Sequence, residues 1–127
     1  MVVVYDSLTG QTKRFAQKLN EKIININDDV EINKVINSNL ILLCTRTFNF
    51  GEIPKSTKNF LDKYSNKVIG VCVSGNKNWG INYGKAGDLI NKIYNIPLII
   101  KFEASGLNED IKYVKEWIKK WKENNNG

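Results

Sequence analysis

The sequence predicts an α/β protein on a doubly wound five-stranded parallel sheet, strand order 2-1-3-4-5, with helices on both faces. Three observations lead there. Short β-branched apolar segments alternate with helical patterns five times within 127 residues, the rhythm of repeated strand–helix crossovers. Leu40 to Cys44 carries no polar side chain, as a parallel strand covered on both sides requires. The turns after the first, third and fourth strands are rich in small and hydrogen-bonding residues. In the order 2-1-3-4-5 they converge on one crevice beyond the strands' carboxyl ends, where such sheets bind ligands.

Val2 to Tyr5 is a buried strand that stops at Asp6 and Ser7. The turn Ser7-Leu8-Thr9-Gly10-Gln11-Thr12 follows, then a helical pattern with Phe15, Ala16, Leu19 and Ile23 on one side. The second strand is either Ile23 to Ile26 or Val30 to Val35; the pattern allows both. Leu40 to Cys44 is the third. A loop from Thr45 to Ile53 leads through Pro54, which suits the first turn of a helix, into a segment carrying Phe60, Leu61 and Tyr64. Val68 to Val73 is the fourth strand, and it breaks at Ser74-Gly75-Asn76-Lys77-Asn78-Trp79-Gly80 before a helix from about Tyr83 to Tyr94. Pro97 to Phe102 is the fifth. The last helix starts near Asn108, with Glu109 and Asp110 complementing its dipole and Ile111, Val114, Ile118 and Trp121 as its apolar stripe. Residues 1–127 form one domain, and Asn124 to Gly127 is expected to fray.

Composition removes several classes of function. A content of 42% hydrophobic and 25% charged residues supports a packed soluble domain. The apolar runs are too short to cross a bilayer, and no basic flank precedes the first, so no membrane segment and no signal peptide are expected and the cytoplasm is the expected location. The absence of histidine excludes a histidine acid–base relay, a histidine metal ligand and a Ser-His-Asp triad. Cys44 and Cys72 lie singly inside apolar runs without metal-ligand spacing, which reads as two reduced core thiols and no metal site. A receiver-type domain needs an acidic pocket, yet only Asp6 follows the first strand. A phosphatase loop fails because Arg46 follows Cys44 too closely. Nineteen Lys and Arg against thirteen Asp and Glu give a net charge of +6. That excess favours an anionic partner, although no aromatic-interleaved groove or known motif suggests nucleic acid.

The three turns carry the chemistry. Hydroxyls of Ser7, Thr9 and Thr12, with backbone amides through Gly10 and Gln11, can surround a phosphate at a helix N-terminus. A plain Ser/Thr helix cap would need only one hydroxyl. The second turn, Thr45-Arg46-Thr47-Phe48-Asn49-Phe50-Gly51, offers aromatic surface, hydroxyls and a glycine. The third sets Trp79 among Asn76 and Asn78, between Ser74, Gly75 and Gly80. A phosphate site flanked by aromatic, amide-rich loops suits a flat heterocycle on a phosphorylated chain, and flavin mononucleotide (FMN) is the obvious ligand.

The first turn resembles the phosphate signature of flavodoxins. Together with T-R-T-F-N-F-G-E-I-P-K, S-G-N-K-N-W-G and K-F-E-A-S-G, it resembles the NrdI family, the flavodoxin-like activators of class Ib ribonucleotide reductase, from about Val2 to about Ile111. The resemblance implies a flavodoxin-like fold with FMN held noncovalently. Its phosphate would lie on Ser7, Thr9, Gly10, Gln11 and Thr12. Its ring would lie between the second and third loops, on Thr45, Arg46, Thr47, Phe48, Asn49, Phe50 and Gly51 and on Ser74, Gly75, Asn76, Asn78, Trp79 and Gly80. It further implies a redox accessory protein that takes electrons from an upstream flavin reductase or other donor and reacts with molecular oxygen when reduced. The oxidant, superoxide or peroxide, would pass to the dimanganese site of the reductase subunit NrdF for tyrosyl-radical assembly, with no metal bound by the activator itself. Two residues depart from the family pattern. Arg46 stands where many members have Tyr, and either lies near the ring, favouring an anionic reduced flavin, or points outward. Phe48 replaces a small hydroxyl residue and either stacks on the flavin or narrows the path of oxygen. Asn49, Phe50 and Gly51 form a segment whose peptide can rotate toward the flavin N5–H. The alternative on the same fold is a generic electron-transfer flavodoxin.

Overall fold

Alternation along the first strand sorts the core into two layers in the computed structural model, which describes residues 1–125. The strands are β1 (Val2–Tyr5), β2 (Lys22–Asn25), β3 (Ile41–Arg46), β4 (Val68–Ser74) and β5 (Leu98–Phe102). The helices are α1 (Gln11–Gln17), α2 (Asp29–Val35), α3 (Lys55–Tyr64), α4 (Lys85–Tyr94) and α5 (Asn108–Asn125). All four strand pairings are parallel and the order is β2-β1-β3-β4-β5, the order expected for the doubly wound sheet. Val2 and Val4 share one layer with Leu43 and Val73, covered by Ile32, Phe60, Leu61 and Ile90 of α2, α3 and α4. Val3 and Tyr5 point to the other, with Leu42, Cys44 and Cys72 beneath Phe15 of α1, Leu19 just after it, and Val114 and Ile118 of α5.

Of the two candidates for the second strand, the earlier one forms it. Val30 to Val35 falls in α2, a helix the β-branched content disguises. Asp28 accepts the Glu31 N–H at 3.2 Å and caps it, with Asp29 and Glu31 in its first turn. Val30 is 65% exposed while Ile32 and Ile36 are buried, a helical spacing. Helix α1 is shorter than its pattern, because Asn20 turns the chain at φ 60° and delivers Ile23 to β2. Helix α4 begins at Lys85, after a 3₁₀ segment over Lys77–Asn82 and Gly84 at φ 59°. Asn124 and Asn125, expected in a frayed tail, continue α5, and the Asn125 amide donates to the Trp121 carbonyl at 2.7 Å. The remainder of that expected tail lies outside the described residues.

Cys44 and Cys72 are register partners on β3 and β4, fully buried, and burial pushes the Cys72 thiol well up. Among the described residues no helix is long and apolar enough to cross a membrane. Tyr94 donates to Asp62 Oδ1 at 2.6 Å and joins α4 to α3. Burial, with the Asp62 carboxylate beside it, pushes the Tyr94 hydroxyl up to about 12.

Two predictions follow from this packing. Phe15 stacks on Phe102 at 3.8 Å and 8° and is fully buried, so Phe15→Ala costs about 3–5 kcal/mol in urea denaturation. Since the folded state holds the Tyr94 proton more tightly than the unfolded chain, its contribution is complete below the ordinary tyrosine range and lost as pH rises through about 12. Burial and the Glu103 and Asp110 carboxylates also push the Tyr83 hydroxyl up, so alkaline spectrophotometric titration shows late tyrosine ionisation whose step near 12 is lost in Tyr94→Phe.

Candidate functional site

Each loop at the carboxyl edge of the sheet is shaped by its own short-range bonds. In the first, Gly10 sits at φ 91° and its N–H donates to Ser7 Oγ at 3.0 Å. No side chain caps α1, so Ser7 shapes the turn and leaves the first-turn amides of the helix without an acceptor inside it. Thr12 is buried, with its hydroxyl 3.3 Å from that of Ser74, which ties the first loop to the third. Thr9 and Leu8 face solvent. The Arg14 guanidinium folds back over the turn, 3.2 Å from where a Cβ on Gly10 would stand.

In the second loop, Thr47 prolongs β3 by donating both its N–H and its hydroxyl to the Ser74 carbonyl, at 3.1 and 3.0 Å. Phe48 and Glu52 then exchange backbone hydrogen bonds at 2.8 and 2.7 Å around a tight turn. Asn49 at φ 49° and Gly51 at φ 125° make that turn. Gly51 is required for space as well, since a Cβ there would stand 2.9 Å from the Lys85 stem. Phe50 is 78% exposed and its ring meets that of Trp79 at 5.4 Å and 36°, so the second and third loops touch.

In the third loop the Gly75 N–H donates to the Phe102 carbonyl at 2.9 Å, and Asn76 Oδ1 accepts the Asn78 N–H at 2.9 Å. Gly80, at φ 56° in open space, reverses the chain. The Lys77 N–H donates to Glu103 Oε2 at 3.1 Å and brings in the turn after β5.

These loops enclose one cleft of about 220 Å³, lined by Gln11, Thr47, Ser74, Gly75, Asn76 and Trp79, together with Asn82 and Ala104. Every one of the three turns singled out in the sequence therefore contributes to it. Ser7, Thr9, Gly10 and Thr12 lie in the adjoining first turn; Phe48, Asn49, Phe50 and Gly51 form the turn beside Trp79; Asn78 and Gly80 complete the third loop. A larger hollow of about 360 Å³ between α2 and α3 contains no residue of these loops.

Six of the eighteen candidates line the cleft itself; of the other twelve, Thr45 and Arg46 are taken up by other side chains. Thr45 is fully buried, its hydroxyl 2.6 Å from that of Thr57. Arg46, expected beside a ring or facing outward, pairs with Asp6, its Nε donating to Oδ1 at 3.2 Å. The Asp6 carboxylate is 3% exposed, and a charge so buried needs a paired cation and hydrogen-bond donors. Sequence reasoning also passed over Arg14, Asn82 and Ala104. The turn after β5 ends a fourth strand at the same edge, a position that points to Ala104 at φ 52°; Arg14 lies one helical turn beyond Gly10.

The family described as NrdI flavodoxin-like matches residues 3–116. The chain belongs to that family. It is 46% identical over 112 residues to Protein NrdI of Macrococcus caseolyticus (strain JCSC5402), covering 88% of this chain and 84% of the relative. It is 42% identical over 116 residues to the SPbeta prophage-derived protein NrdI of Bacillus subtilis (strain 168), covering 88% and 86%. Among solved structures, Fusobacterium nucleatum flavodoxin bound to flavin mononucleotide aligns at TM-score 0.67 and 18% identity, over 97% of this chain and 96% of that one. Oxidised Flavodoxin 1 from Bacillus cereus aligns at TM-score 0.66 and 22% identity, over 91% and 92%. The five-stranded flavodoxin-like fold of the NrdI family is thus that of this chain.

Within the cleft wall, a Cβ on Gly75 would stand 2.7 Å from the Gly84 nitrogen and 3.2 Å from its Cα, both backbone atoms that cannot swing aside. Gly75→Ala is expected to destabilise the fold by about 1–3 kcal/mol, read by urea denaturation, and to displace the third loop from the cleft.

Proposed function

We propose that the cleft binds FMN and that the reduced protein activates a class Ib ribonucleotide reductase, supplying superoxide or peroxide to the dimanganese site of NrdF for tyrosyl-radical assembly. The observation that carries this reading is the convergence of Gln11, Thr47, Ser74, Gly75, Asn76 and Trp79 on one cleft in a member of the NrdI family. The residues suit the ligand. The uncapped first turn of α1, with the hydroxyls of Ser7, Thr9 and Thr12 and the close approach allowed at Gly10, offers amides and hydroxyls to a phosphate. Arg14 adds a positive charge above the same turn.

Phe50 and Trp79 supply aromatic faces for the ring. Their contact at 5.4 Å has no room for a third ring, since each stacked layer needs about 3.5 Å, so ring entry between them requires that the pair part. The Asn49–Gly51 turn, with both ends at positive φ, provides backbone carbonyls as acceptors for the N5–H of a reduced ring. When bound, FMN carries electrons from an upstream reductase to oxygen; the protein's share is binding, orientation and access. Leu8, Phe50 and Ile81, 76%, 78% and 94% exposed on these loops, are apolar side chains that a partner subunit would cover.

The test has two stages. Titration of the purified chain with FMN should give a yellow complex and change tryptophan emission through Trp79; a colourless protein that refuses added FMN rejects the reading. The reduced complex, mixed with manganese-loaded NrdF under oxygen, should then yield tyrosyl radical. Electron transfer to an acceptor enzyme with no radical formed points instead to an electron-transfer flavodoxin.

A further inference from the structure

We propose that Asp6 is a positioning residue that clamps both ends of the second loop, from which the Phe48–Gly51 turn projects. Arg46, the last residue of β3, is where the loop departs; Ser56 and Thr57, in the first turn of α3, are where it lands. One buried carboxylate holds both ends. Its Oδ1 accepts from Arg46 Nε at 3.2 Å, and its Oδ2 accepts from the hydroxyls of Ser56 and of Thr57, the latter at 2.7 Å.

The single proton of Thr57 is committed to Asp6, so Thr45 must be the donor in its 2.6 Å contact with Thr57. The relay Thr45 to Thr57 to Asp6 therefore has one direction and ends on the charge. The backbone N–H of Asp6 donates to the Cys44 carbonyl at 2.9 Å, which fastens the clamp itself to β3. Helix α3 has Pro54 at its N-cap, no capping side chain and no acidic residue in its first turn. Asp6 supplies from β1 the negative charge that the local sequence omits. The loop so held contributes Thr47 to the cleft wall, bonded to the Ser74 carbonyl.

The clamp is tested first by amide hydrogen exchange on the FMN-free protein. Arg46→Met removes one end and Ser56→Ala removes one of the two bonds at the other, while both leave Asp6 other partners, so both remain measurable if Asp6→Asn does not fold. Exchange at Thr47, Gly51 and Glu52 should accelerate by about tenfold, with the β4 and β5 amides unchanged. Arg46→Lys, which keeps a charge for Asp6, should recover part of the protection. Unchanged exchange in folded Arg46→Met, or a Lys variant indistinguishable from Met, overturns the proposal.

A second arm rests on the FMN reading: the complex should bind FMN about tenfold more weakly in Arg46→Met. If the unaltered chain binds no FMN, that reading falls while the exchange result still decides the clamp. Looser exchange with undiminished FMN affinity overturns the claim that the clamp positions the site.

Discussion

Burial of the three central strands on both faces governs the molecule. Val3 and Val4, Ile41 to Cys44 and Val71 to Val73 are inaccessible to solvent. A polar side chain along them would lose its water with nothing in the two apolar layers to replace it. Tyr5, Cys44 and Cys72 stand level across β1, β3 and β4. The first polar groups therefore emerge together just beyond that line, as Asp6, Thr45, Arg46 and Ser74. One edge of the sheet collects the chain's hydrogen-bonding chemistry because nowhere along the strands can hold it.

At that edge the polar groups divide between support and exposure to the cleft. Asp6, Thr45, Arg46, Ser56 and Thr57 satisfy one another inside, and among the described residues no buried side-chain polar atom lacks a partner. Gln11, Thr47, Ser74 and Asn76 remain for the cleft. Removing one member of the inner set would leave a buried charge or hydroxyl one partner short, and a buried polar group is costliest when its hydrogen bonds are unmade. The inner network is thus the foundation of the outer one.

Backbone strain is gathered at the same edge. Gly10, Asn49, Gly51, Gly80 and Ala104 all adopt positive φ in the loops there. Asn49 and Ala104 do so with a Cβ, a conformation that persists where surrounding bonds over-determine it. Asn49 is held by its amide on Glu52 Oε2 at 3.0 Å and by the Phe48–Glu52 pair. Asn20 and Asn95, also at positive φ, serve a different purpose, turning the chain after α1 and α4 at the opposite end of the sheet.

What the sequence determined by itself was whatever rests on neighbouring residues. The positions of four strands, the glycines of the turns and the chemistry of the three loops follow from apolar period and turn residues, which are local signals, and the alternation of strands with helices carries the doubly wound order. Tertiary structure decided the rest. Val30 to Val35 could be strand or helix until Asp28 capped it and Ile32 and Ile36 found the sheet. Thr45 and Arg46 look like ligand contacts in isolation. Their partners, Thr57 and Asp6, reach them only through the fold, Asp6 from forty positions upstream in the chain. A polar side chain's direction depends on which group lies within about 3 Å, and sequence neighbours carry no information about that.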